Sequence, residues 1–329
     1  MDKVRRAGIL GTGIYVPEKV VTNEDLSAMM DTNDEWISDQ DRHPYKAYSS
    51  QRGSCVRYGC RGRKKGSGKG RYFRGSDQFH DGGYRDTGLS HTLHSQYSAG
   101  KTGSQPYRGH GYSSGCAGMI HGLITAGGMV SSGMADYVLV ISSEMLSRHL
   151  DWTDRSVCIL FGEGASAAVV GPVPEGEGIL SFDMGTDGRF WNSIHIPAGG
   201  VVQPVSEEAI RNKDIYMKME GKKVFAWSVR RMKETADISL RRAGLDKKDI
   251  SLFLFHQANL RIIQCLSEKM GIPMDKIPIE LDRFGNTGPA SVGIALDEAL
   301  RKGYIRKGDE VLLDAFGAGF IWSSAVIGF

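Results

Sequence analysis

An α/β fold with buried sheets is predicted by three features of this sequence. Short continuous apolar runs, such as DYVLVIS at 136–142, have the length of strands buried on both faces. Longer amphipathic stretches, such as 222–243, carry apolar residues at helical spacing and stop at a glycine. The two kinds of segment alternate along the chain, which is the order that builds α/β proteins. A length of 329 residues suits two domains or one large duplicated fold. No apolar run has the length of a membrane-spanning helix. The start, MDKVRRAGILG, lacks the apolar core and cleavage site of a signal peptide. Five irregularly spaced cysteines fit a reducing cytoplasm better than a disulfide framework.

Taken in order, 4–15 reads as a strand entering a glycine turn, with Pro17 beyond it. Thr22-Asn23-Glu24-Asp25 has the form of a capping box and opens a short helix ending before Asp34. A helix is predicted over 116–133, with apolar residues at 119, 120, 123 and 124. Strands follow at 136–142, 165–170 and 178–184. Helix 222–243 is closed by Gly244, and strand 250–255 delivers His256 at its C-terminal end. Helix 259–270 stops at Gly271 and Pro273. A helix over 291–301 and strands over 310–316 and 321–327 complete the chain, the last two flanking Gly317-Ala318-Gly319. The two halves show a similar order of elements, which points to a duplication.

Residues 38–112 break this pattern. From Asp39 to Tyr112 there is no Ile, Met, Glu, Asn or Trp, one Val (Val56), and eight of the twelve tyrosines. Fourteen Lys and Arg against five Asp give the stretch a charge of +9 in a chain whose total is +3. Taken literally, it cannot bury enough apolar surface to fold and is expected to be irregular or disordered. Three readings compete. Basic residues interleaved with aromatics are the footprint of a nucleic-acid-binding insert. Cys55 and Cys60 could mark a metal site, but one such pair with scattered His lacks ligand spacing. The third reading is a displaced reading frame. Back-translated and read one nucleotide later, suitable synonymous codons give a string that rejoins the chain at Ser113 without a gap. That string contains an amphipathic Ala/Lys/Glu-rich helix pattern, then the buried-strand run SFMMVATVT, then the helix pattern TASILQAKLG. Agreement between local patterns marks foldable sequence, so the displaced frame is the preferred reading.

Cys116 stands in Ser113-Ser114-Gly115-Cys116-Ala117-Gly118, at the start of a Gly-rich helix. A helix N-terminus presents unpaired N–H groups and partial positive charge, which lower a thiol pKa. Small neighbours let a substrate approach the sulfur. A buried structural cysteine is the other reading. His256 follows a strand and precedes a helix, with polar Gln257, Asn259 and Arg261 beside it; a core histidine is its alternative. Asn286, between Gly285 and Thr287, reads either as a plain turn or as a donor that joins His256 in holding a carbonyl oxygen turning negative.

These residues fall within a larger set: Asp34-Glu35-Trp36-Ile37, Thr153-Asp154-Arg155, Phe161-Gly162-Glu163-Gly164-Ala165, His256-Gln257-Ala258-Asn259-Leu260-Arg261, Gly285-Asn286-Thr287 and Phe316-Gly317-Ala318-Gly319-Phe320. On them the chain resembles β-ketoacyl-acyl carrier protein synthase III, the initiating condensing enzyme of fatty-acid synthesis, in the thiolase superfamily. The displaced frame also supplies the family's TRTGI.

The resemblance implies a duplicated five-layer αβαβα fold, with an N-terminal half (1–172) carrying the nucleophile and a C-terminal half (173–329) carrying His and Asn. It implies that Cys116 takes an acyl group from acetyl-CoA or another short acyl-CoA. Malonyl-acyl carrier protein then loses carbon dioxide and attacks the acyl-cysteine, with His256 and Asn286 stabilising the enolate oxygen. The backbone N–H groups of Cys116 and Ala318 correspond to the oxyanion hole; the family usually has Gly at 318, and a backbone donor tolerates Ala there if φ is negative. Trp36, Arg155, Phe225 and Asn259 correspond to CoA-binding positions. Arg261, with Lys222, Lys223 and Arg230 nearby, suits an acidic carrier protein, although for the last three a solvated helix face is an equal reading. No cofactor or metal is implied beyond the CoA thioester substrate. The partners implied are acyl-CoA, malonyl-acyl carrier protein and a second copy in a cytoplasmic homodimer, with no nucleic acid or membrane. As written, 38–112 cannot supply its share of the fold, so the literal chain is expected to be poorly folded or inactive. The alternatives are a related enzyme of secondary metabolism and a non-catalytic protein with a basic nucleic-acid-binding insert.

Overall fold

The computed structural model describes residues 5–33, 35, 37, 45–47 (main chain only) and 111–329. In chain order its elements are β1 (Ala7–Tyr15), β2 (Val20–Thr22), α1 (Asn23–Met29), β3 (Tyr45–Ala47), α2 (Gly118–Ser131), β4 (Val138–Met145), α3 (Arg155–Cys158), β5 (Glu163–Pro172) and β6 (Gly178–Thr186). There follow β7 (Ile194–His195), α4 (Glu207–Arg211), β8 (Lys218–Met219), α5 (Gly221–Ala243), β9 (Ile250–Phe255), α6 (Leu260–Met270), α7 (Leu281–Phe284), α8 (Ala290–Arg301), β10 (Glu310–Gly317) and β11 (Ile321–Gly328).

Local chemistry sets several boundaries. The Thr22 side chain accepts from the Asp25 N–H while the Asp25 carboxylate accepts from the Thr22 N–H, the reciprocal cap that starts α1. Helices α5 and α6 each end on a glycine in the left-handed region, Gly244 at φ 70° and Gly271 at φ 65°. A residue with a Cβ reaches that region at a cost.

Two sheets carry the fold. One has the order β1-β5-β4 with both pairings antiparallel; the other has the order β6-β11-β10-β9, antiparallel except for the parallel pair β10·β9. Helices α2 and α8 lie between them. A single apolar core joins Met119, Ile120 and Leu123 of α2 and Val292, Ala295 and Leu296 of α8 to Val140 and Val170 of one sheet and Leu254, Val311 and Leu313 of the other. A second core fixes α5 and α6 on the far face of the larger sheet through Met232, Leu240, Ile263 and Leu266 against Phe253, Phe255 and Leu312. This is the predicted α/β layering: even β10 residues face α5 and α6, and odd ones face α2 and α8.

Three differences from the sequence-based expectation are physical. The helix predicted from Cys116 is split, with a 3-10 turn at Gly115–Ala117 preceding α2. The strand predicted at 136–142 runs on to Met145, because Ser142, Ser143 and Glu144 are buried despite being polar. Residues 188–219, which carry no periodic pattern, form a 3-10 segment, β7, α4 and β8. The displaced-frame string, TRTGI and the Cys55–Cys60 pair fall outside the described residues.

Candidate active site

Cys116 is held against the end of β10 by close backbone approach. A Cβ at Gly317 would lie 2.5 Å from the Cys116 nitrogen and 3.1 Å from its Cβ, so only glycine fits there. The next residue, Ala318, directs its N–H at the Cys116 sulfur. Among non-glycine described residues only Lys213 has positive φ, so Ala318 meets the conformational condition set for a backbone donor. Cys116 opens into a cavity yet is surrounded by protein. Burial pushes its thiol up to about 12, the Glu144 carboxylate adds to this, and the Ala318 and Cys116 N–H groups act in the opposite sense. The direction is opposite to the lowering expected from the sequence: desolvation outweighs the two backbone donors.

His256 follows β9, its N–H donating to the Asp314 carbonyl at 2.8 Å. It is buried, and its Nδ1 lies 2.7 Å from Ser291 Oγ on α8. Ser291 Oγ also accepts from the Gln257 N–H at 3.3 Å. Burial pushes the His256 pKa down to about 3, so the ring is neutral at ordinary pH. Asn286 is fixed by its main chain, donating to the Leu160 carbonyl at 3.0 Å and accepting from Gly162 at 2.9 Å. Its side-chain Oδ1 accepts from the Gly288 N–H at 2.9 Å, which leaves the NH2 as the group it can offer a substrate.

A cavity of about 660 Å³ is lined by Cys116, His256, Asn286 and Ala318 together with Phe225, Asn259, Lys222 and Arg261. Apolar walls come from Leu146, Phe161, Ile194, Met217, Met219, Met232 and Phe316. Asn259 has a second task, its Oδ1 capping α6 by accepting from the Arg261 N–H at 2.8 Å. Three predicted residues do not line this cavity. Arg155 donates to the Asp31 carbonyl at 2.5 Å. Lys223 pairs with Glu220 at 3.4 Å and sits over the Phe190 ring, and Arg230 pairs with Glu234 at 2.9 Å beside Trp227. Trp36 falls outside the described residues.

Sequence reasoning missed Glu144, which lines the cavity, and Ser291, which contacts His256. The signal for Glu144 was an ionisable residue at the end of an apolar strand; Ser291 gave none. Among the described residues no group of three or more His, Cys, Asp or Glu could hold a metal, and no helix is long and apolar enough to cross a membrane.

The 3-oxoacyl-[acyl-carrier-protein] synthase III family model matches residues 112–188, and the model of that family's C-terminal region matches 240–329. A curated β-ketoacyl-[acyl-carrier-protein] synthase III from Caldanaerobacter subterraneus is 38% identical over 333 residues, covering 98% of this chain and 97% of the relative. One from Desulfitobacterium hafniense is 36% identical over 332 residues, covering 97% of each. The crystal structure of the Thermus thermophilus β-ketoacyl-[acyl carrier protein] synthase III superposes with a TM-score of 0.90 at 34% identity, covering 98% of this chain and 99% of that one. With its thiolase-type sheets and helices and relatives matched over nearly their whole length, the chain belongs to the β-ketoacyl-acyl carrier protein synthase III family.

Proposed function

We propose that this protein performs the initiating condensation of fatty-acid synthesis, with Cys116, His256 and Asn286 as its reacting set. The observation that carries the reading is the single cavity shared by these three side chains and Ala318. The Cys116 sulfur attacks the thioester carbonyl of a short acyl-CoA, and the Cys116 and Ala318 N–H groups hold the oxygen as it turns negative. CoA leaves as the thiol. Malonyl-acyl carrier protein then occupies the same cavity. Loss of carbon dioxide leaves the electron pair of the broken C–C bond as an enolate, whose oxygen is held by His256 and Asn286. The enolate carbon attacks the acyl-cysteine, the C–S bond breaks, and 3-oxoacyl-acyl carrier protein is released.

We assign the His256 proton to Nε2. Ser291 Oγ accepts from the Gln257 N–H and is placed to donate its own proton to Nδ1, so Nε2–H faces the substrate. A neutral ring donating one hydrogen bond suits an enolate oxygen. Phe225 and Asn259 flank the pantetheine arm, and Trp36 with Arg155 holds the adenine. Lys222 and Arg261, exposed at the cavity, meet the acidic carrier protein, with Lys223 and Arg230 behind them. The division into halves at 172/173, the homodimer and a cytoplasmic location belong to the same reading. It is tested by exposing the protein to acetyl-CoA and mapping the adduct by mass spectrometry. The acetyl group is expected on Cys116 and is expected to vanish in Cys116→Ala; acetylation persisting in that variant overturns the nucleophile assignment.

We also propose that 38–112 stand in a displaced reading frame. The family match in the N-terminal half begins at residue 112, next to Ser113, where the shifted frame rejoins. Alignments that span 97–98% of this chain and 97% of each relative support a tract that stands in place of residues the relatives have, rather than an insertion. Reading the DNA across codons 36–115 decides it.

A further inference from the structure

The chemistry above gives no part to Glu144, which packs against the loop that presents Asn286. It lies in β4 and is 2% exposed. Its Oε1 accepts from the Met145 N–H at 3.0 Å, which ties one carboxylate oxygen to its own strand. The rest of the carboxyl group lies against Gly288. A Cβ at Gly288 would stand 2.6 Å from Oε2, 2.9 Å from Cγ and 3.1 Å from Cδ of Glu144. The Gly288 α-carbon therefore sits directly on the carboxyl group, with no room for a side chain between them. Glu144 stands opposite Gly164 of β5, on the same face of the sheet. A Cβ at Gly164 would lie 3.3 Å from Thr287 Cγ2. One rung of the smaller sheet thus backs both Thr287 and Gly288.

This wall bears on the direction of the Asn286 side chain. The Asn286 main chain is fixed from elsewhere, by Leu160 and Gly162. The side-chain amide takes its direction from Gly288, whose N–H donates to Oδ1 at 2.9 Å. That contact turns the NH2 away from Gly288 as the free donor. Gly288 has φ 55° and no side chain, so it has little conformational rigidity of its own. Its place depends on what lies against its α-carbon, and that is the Glu144 carboxyl group.

We propose that Glu144 is a positioning residue for Asn286. Its carboxyl group holds Gly288 in place, and Gly288 keeps the Asn286 NH2 aimed at the enolate oxygen. The role is one of shape and requires no proton transfer by Glu144. It rests on Asn286 serving the enolate step, as proposed above. Acylation of Cys116 uses the Cys116 and Ala318 N–H groups and makes no call on Asn286. A loss of positioning therefore slows the condensation and spares the acylation. General damage to the site slows both, because both steps share one cavity.

The test measures the two steps separately by mass spectrometry, on full-length protein expressed from the sequence-verified gene. The first rate is acetylation of Cys116 by acetyl-CoA. The second is loss of that acetyl group when malonyl-acyl carrier protein is added. Glu144→Ala, which removes the wall, is expected to leave the first rate unchanged. It is expected to slow the second by roughly 10-fold to 10²-fold, the cost of misplacing a reacting group by up to about 1 Å. Glu144→Gln keeps the shape and is expected to match the parent in both steps. Glu144→Asp, shorter by one methylene, is expected to fall between them in the second step alone, and it carries the test if the Ala variant does not fold. Equal slowing of both steps, no slowing of either, or a Gln variant as slow as Ala overturns the proposal. Asn286→Ala is the control. If it slows acetylation as much as condensation, the Asn286 reading fails and this proposal fails with it. If it is selective and the Glu144 variants are not, this proposal alone fails.

Discussion

At the scale of single residues, burial drives His256 and Glu144 in opposite directions, and both shifts are linked to stability. A histidine held at about 3 in the fold, against 6.5 ordinarily, binds fewer protons than the unfolded chain at acid pH. Its contribution therefore weakens stability as pH falls below about 6.5, down to about 3. Glu144, at about 8 against 4.5, has the contrary sign. The native form holds its proton longer, so that contribution is present below 4.5 and is lost as pH rises to about 8. Each slope is at most about 1.4 kcal/mol per pH unit. Glu144→Gln, which removes the titrating group, is expected to flatten the fall in melting temperature between pH 5 and 8. A variant whose melting temperature follows the parent's across that range would locate the effect elsewhere. The difference in legibility has the same physical origin. Cys116, His256 and Asn286 sit in polar or Gly-rich motifs that break the apolar pattern. Glu144 sits inside a strand whose neighbours read as core, and its shift exists only once the strand is covered. The sequence also predicted the wrong direction for the Cys116 thiol, because a helix terminus is visible in sequence and desolvation is not.

At the scale of elements, the boundaries that carry their own chemistry were legible. The Thr22 cap and the Gly244 and Gly271 stops appear where the sequence predicts them. Short β7, α4 and β8 were not legible, because two- to five-residue elements have no periodicity and exist through contacts distant in sequence. Yet this region supplies Ile194, Met217 and Met219 to the cavity wall. Asn259 shows one residue serving an element and a site together. Its Oδ1 satisfies the Arg261 N–H at the start of α6, and the same residue lines the cavity. Asn259→Ala is expected to cost about 1 kcal/mol of stability, as loss of an N-cap does. Asn259→Asp, which retains an acceptor at the cap, is expected to preserve stability in denaturant titration while changing the KM for acyl-CoA. If Asp and Ala destabilise equally, the cap is not what Asn259 contributes.

For the whole molecule, the two sheets compare strand by strand. Antiparallel β1-β5-β4 repeats the order and sense of β6-β11-β10, and α2 corresponds to α8 as the helix preceding the last hairpin. The larger sheet continues to β9, parallel to β10, preceded by α5 and followed by α6. Among the described residues the smaller sheet ends at β4. All eight β4 residues are buried, and Leu139, Ile141, Ala167 and Val169 form an apolar face like the one that α5 and α6 cover in the other half. Duplication thus calls for a helix, a buried strand and a second helix between β1 and α2. That is the order of the Ala/Lys/Glu-rich helix, SFMMVATVT and TASILQAKLG in the displaced frame. A gene carrying the restored frame is expected to yield a protein that melts cooperatively, forms dimers in size-exclusion chromatography and is acetylated on Cys116. The chain as written is expected to do none of these, because the composition of 38–112 offers too little apolar surface to complete a core. DNA that encodes the written tract, together with a folded, active product, would show instead that this tract completes the sheet by other means.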